Sequence, residues 1–77
     1  MRFIEEYALV HRAWQIDELS ELTVSDAERS ILVERYGLED NTFKTLEEIG
    51  SVRGITRERV RQLEESALRK LRKLEKT

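Results

Sequence analysis

Apolar residues recur at helical intervals along most of this 77-residue chain. Phe3, Tyr7, Val10 and Trp14 are spaced four, three and four apart, which puts them on one face of a helix. Ile16, Leu19 and Leu22 continue the apolar pattern with a shift of phase. Two readings stay open here: one long helix to about residue 21, or two with a bend near Gln15. No stretch alternates apolar and polar residues, so no strand is predicted.

Further along, the helix boundaries are written in the polar residues. Ser25-Asp26-Ala27-Glu28 forms a capping box, in which the Ser hydroxyl and the Glu carboxylate each satisfy a backbone amide of the other residue. The helix it opens buries Ile31, Leu32 and Tyr36, and Gly37 follows where a helix end favours a left-handed residue. Leu38 to Lys44 reads as a loop. Thr45-Leu46-Glu47-Glu48 is a second capping box, for a short helix to about Arg53, with Gly54 after it. Thr56 then caps a long amphipathic helix whose stripe is Val60, Leu63, Ala67, Leu71 and Leu74. The expected fold is all-α, a small helical bundle of four to five helices.

A short capped helix, a glycine turn and a longer helix make a helix-turn-helix pattern. Gly50 falls where the two helices cross closely, and Gly54 supplies the turn. Ile49, Ile55, Val60 and Leu63 are expected to form a small core between them. That leaves Arg57, Glu58, Arg61 and Gln62 facing outward at the start of the second helix. These side chains suit base edges: Arg donates twice to guanine, Gln pairs with adenine, and Glu accepts from the cytosine amino group. The motif brings this helix end into the major groove of DNA.

Charge supports this picture only once its distribution is considered. The net charge is −2, yet residues 1–43 hold 4 Lys/Arg against 10 Asp/Glu while residues 44–77 hold 10 against 6. The basic half contains the predicted helix-turn-helix, which suits a polyanion. The chain has no Cys and one His, His11, so no metal site, cofactor or catalytic constellation is expected. No apolar run reaches the roughly 20 residues that span a bilayer, and the acidic start differs from a signal peptide. The expectation is a soluble, cytoplasmic protein with no membrane association and no need to be more than a monomer.

From about Val24 to Arg72 the residues resemble region four of primary sigma factors. The segments that carry the likeness are Arg35-Tyr36-Gly37-Leu38, Lys44 to Gly50, Gly54 to Glu64 and Ala67 to Arg72. The resemblance implies a domain, residues 24–77, that binds the promoter −35 element as double-stranded DNA while docked on the β flap of RNA polymerase. It implies base-reading or groove-facing roles for Arg57, Glu58, Arg61 and Gln62. It implies phosphate contacts at or near Arg35, Thr45 and Arg72, with Lys44 and Arg59 grouped with them. Three positions depart from the family: Arg53 stands where Phe is usual, Ser66 replaces a Lys, and Glu65 adds a negative charge. Residues 1–23 form a separate N-terminal segment, read as an amphipathic helix packing onto the core, with a regulator-binding helix as the alternative. The competing function is a standalone sigma-like protein that acts mainly as an interaction module on RNA polymerase or another transcription factor.

Overall fold

A computed structural model describes residues 2–20 and 22–75. Its helices start and stop where local chemistry satisfies the free backbone groups at their ends. They are α1 (Arg2–Gln15), α2 (Asp26–Arg35), α3 (Leu46–Arg53) and α4 (Arg57–Glu75), with no strand among the described residues. Both capping boxes form. The Ser25 amide donates to Glu28 Oε1 at 2.8 Å and the Glu28 amide to Ser25 Oγ at 3.2 Å. The Thr45 amide and Glu48 make the matching pair at 2.8 and 3.0 Å. Gly54 ends α3 in the left-handed region, φ 71°, and Thr56 Oγ1 accepts from the Arg59 amide at the start of α4.

α1 resolves the question left open by the sequence. It ends at Gln15, and Asp17 turns the chain with a positive φ. The chain beyond it makes a turn rather than a second helix; residue 21, the limit of the longer reading, lies outside the described residues. The buried face of α1 is also rotated from the expected one. Leu9, Val10 and Ala13 are buried, whereas Phe3 and Tyr7 stay at the margin, each more than a third exposed.

One apolar cluster joins α1, α2 and α4 through Leu9, Val10, Ala13, Leu32, Tyr36, Ala67, Leu68 and Leu71, with Trp14 packed against it. The residues of α1 therefore share a core with those of the 24–77 segment. A second cluster joins α2 to the helix-turn-helix: Ile31, Ile49 and Val60, flanked by Leu46 and Leu63. Ile55, expected in this small core, is exposed instead. Its amide is tied to the Gly50 carbonyl at 3.0 Å, which holds it in the turn and leaves its side chain at the rim. Leu74, at the end of the α4 stripe, is about a third exposed.

Candidate nucleic-acid interface

Gly50 sets the closeness of α3 to the start of α4. A Cβ there would sit 2.7 Å from the Ile55 carbonyl oxygen, so only glycine fits without movement. With the two helices held this way, Val60 points inward and Arg57, Glu58, Arg59, Arg61 and Gln62 are all exposed. The buried residues of α4 that meet α1 lie toward its other end, at Ala67, Leu68 and Leu71. Helical spacing continues the outward face: Glu58, Gln62, Glu65, Arg69 and Arg72 follow one another at steps of three and four along one side of α4, with Arg61 beside Gln62.

Arg61 and Arg72 on this face have carboxylate partners. Arg61 grips Glu58, with Nη2 2.6 Å from Oε2 and Nε 3.0 Å from Oε1. That hydrogen bond is the main reason that Glu58 is held below the usual carboxylate range and Arg61 above its usual value. Arg59 reaches Gln62 Oε1 at 3.4 Å. Arg72 Nη2 meets Glu6 Oε2 of α1 at 3.0 Å.

The residues that the resemblance associates with phosphates separate into distinct environments. Thr45 and Lys44 sit at the start of α3, where the Thr45 hydroxyl caps the helix and Lys44 Nζ lies 3.9 Å from Asp40. Arg59 is on the exposed end of α4, and Arg72 lies about three turns beyond Arg61. Arg35 adjoins Lys44 but is engaged by groups of the protein itself. Its Nε pairs with Glu64 at 3.2 Å, its Nη1 donates to the Lys44 carbonyl at 2.9 Å, and its guanidinium lies over the Phe3 ring. This one side chain ties α2 to α4, to the segment before α3 and to α1.

Sequence reasoning missed the buried carboxylates behind this surface. Glu64 accepts from Arg35 and from the Tyr36 hydroxyl at 3.1 Å. Burial, then the charges of Glu64 and Glu6, push the Tyr36 phenol well above its usual value. Glu28 is buried too, and accepts from Ser66 at 2.5 Å and Lys70 at 2.8 Å. An available signal was phase: Glu64 lies on the same side of its helix as Val60, Ala67 and Leu71, where a charge needs a partner. The departures also find structural uses. Ser66 holds Glu28, and Arg53 reaches across from α3 to Glu34 and Ser30 of α2. His11 donates from Nε2 to the Tyr36 carbonyl at 3.0 Å and stacks on Tyr7, a structural placement. Among the described residues no group of three or more His, Cys, Asp or Glu is placed to hold a metal ion, and no helix is long and apolar enough to cross a membrane.

The family described as Sigma-70, region 4 matches residues 19–73. Two curated relatives, each called RNA polymerase sigma factor SigA, come from Microcystis aeruginosa and Synechocystis sp.. Each is 60% identical over 50 residues, covering 65% of this chain and 12% of its own length. The chain thus spans only a small part of the length of these relatives. No solved structure matches it.

Proposed function

Because this chain belongs to the sigma-70 region 4 family, we propose that it recognises the promoter −35 element in double-stranded DNA while docked on the β flap of RNA polymerase. One observation carries this reading. The start of α4 presents Arg57, Glu58, Arg61 and Gln62 together, exposed, on the second helix of a helix-turn-helix. In that geometry the helix end enters the major groove and these side chains meet base edges. Arg59, Lys44, Thr45 and Arg72 flank them as phosphate contacts, and Thr45 contributes through the free amides that open α3. Arg35, braced between Glu64 and the Lys44 carbonyl, supports the docking geometry from behind. The domain works as a monomer in the cytoplasm and carries out no catalysis of its own.

A second reading, an interaction module that touches DNA weakly, has one feature in its favour. Phe3, Tyr7 and Phe43 cluster edge to face at the margin of α1 and remain partly exposed. A regulator of transcription could use that edge. Capture on RNA polymerase core, compared between wild type and Phe43→Ala, reports on it directly.

Promoter reading is tested by titrating Arg61→Ala against a −35-like duplex and a random duplex at low salt. Affinity for the cognate site is expected to fall roughly 10- to 100-fold, with little change on random DNA. Equal losses on both would reduce Arg61 to a phosphate contact. A wild-type chain with no preference for the cognate duplex would overturn promoter reading itself.

A further inference from the structure

We infer that Glu6 of α1 is an intramolecular competitor for the DNA phosphate at Arg72, so that the first helix acts as a brake on DNA affinity. The inference rests on the promoter-DNA reading for its ligand, and on three structural facts for its mechanism. Arg72 lies on the same side of α4 as Arg61, 11 residues later, which sets it about 16 Å further along the helix axis. With a major groove about 12 Å wide, that distance reaches from base edges to the backbone at the flank. Arg72 keeps 42% of its side chain exposed, so it remains open to a polyanion. Finally, Glu6 is only 13% exposed and holds its carboxylate 3.0 Å from the Arg72 Nη2.

The position of Glu6 is fixed by its helix. Leu9, Val10 and Ala13 bury α1 against Ala67, Leu68 and Leu71 of α4, and the aromatic stack of Phe3 on Tyr36 secures the same end of α1. The carboxylate is therefore held beside Arg72 before any DNA arrives. An arriving phosphate must share or displace it, and one cation is already neutralised before binding starts. Counterion release from DNA scales with the number of cations delivered to phosphates, so this pairing lowers both affinity and its salt dependence. Base discrimination, carried by the far end of α4, is left alone.

The test is Glu6→Gln in the whole 77-residue chain, titrated by fluorescence anisotropy against cognate and random duplexes over a range of salt. Gln keeps the size of the side chain and an acceptor for Arg72, and a thermal melt checks that the α1–α4 seam survives. Affinity is expected to rise about 3- to 10-fold on both duplexes, with the log–log salt slope steeper by about 0.9. In an Arg72→Gln background the gain should disappear. Unchanged affinity, or an equal gain without Arg72, overturns the inference. The cognate-to-random ratio should not move. If wild type shows no such ratio, promoter reading fails, while the competition is still decided on random DNA alone.

Discussion

At neutral pH, Glu28→Gln is expected to lower the stability of the fold by about 3 kcal/mol, with most of the deficit gone once the pH falls to about 2. Glu28 is 4% exposed and accepts from three groups: the Ser25 amide, the Ser66 hydroxyl and the Lys70 ammonium. Burial alone raises its pKa, but the bonds from Lys70, Ser66 and Ser25 outweigh it and hold the carboxyl at about 2, against an ordinary 4.5. A carboxylate whose pKa is depressed by folding stabilises the native state above its unfolded value and loses that contribution as pH falls through its folded one. The span between the two values, at about 1.4 kcal/mol per unit, gives the size of the effect. In a domain this small it corresponds to a melting temperature lower by roughly 12–24 °C. Gln keeps the one oxygen that the Ser25 amide and Lys70 share, but it loses the charge that faces Lys70 and the Oε2 that accepts from Ser66. Urea titrations of wild type and variant at pH 7, 4 and 2 measure the convergence. Parallel pH profiles would show that the acid sensitivity lies in other carboxylates.

The same residue shows what the sequence makes visible and what it hides. The capping role of Glu28 is legible because Ser25 is three positions away, as is the equivalent pair of Thr45 and Glu48. Its partners Ser66 and Lys70 are 38 and 42 residues distant, and no local pattern announces them. The helix-turn-helix is legible for the same local reason: Gly54 and Thr56 mark its turn by their own backbone chemistry. α1 is the opposite case. It carries two candidate apolar stripes, Phe3-Tyr7-Val10-Trp14 and Leu9-Val10-Ala13, and the choice belongs to the partner surface on α4. Arg35 illustrates a further gap. Likeness to a family assigns a position near DNA, whereas its acceptors, Glu64 and the Lys44 carbonyl, are visible only once α2, α4 and the segment before α3 are assembled.

Gly50→Val is expected to cost about 3 kcal/mol or more and to weaken cognate DNA binding at temperatures where the protein is still folded. The reason is steric and specific to the crossing of α3 and α4. A Cβ at residue 50 would stand 2.7 Å from the Ile55 carbonyl oxygen and 3.4 Å from the Thr56 carbonyl. Those are backbone atoms and cannot swing aside as a flexible side chain can. The Gly50 carbonyl is itself committed, accepting from the amides of Gly54 and Ile55. Relief must come from moving the turn, and the turn carries the start of α4 and with it Arg57, Glu58 and Arg61. Inserting carbon into such a contact typically costs about 1–3 kcal/mol and more where the backbone has to shift. Gly54→Ala supplies the contrast. No atom lies within 4 Å of a Cβ there, but its φ of 71° favours glycine, so the expected loss is about 1 kcal/mol, from conformation alone. Chemical denaturation of both variants ranks the two causes. If Gly54→Ala proves the more damaging, turn conformation rather than helix approach governs how α4 is presented.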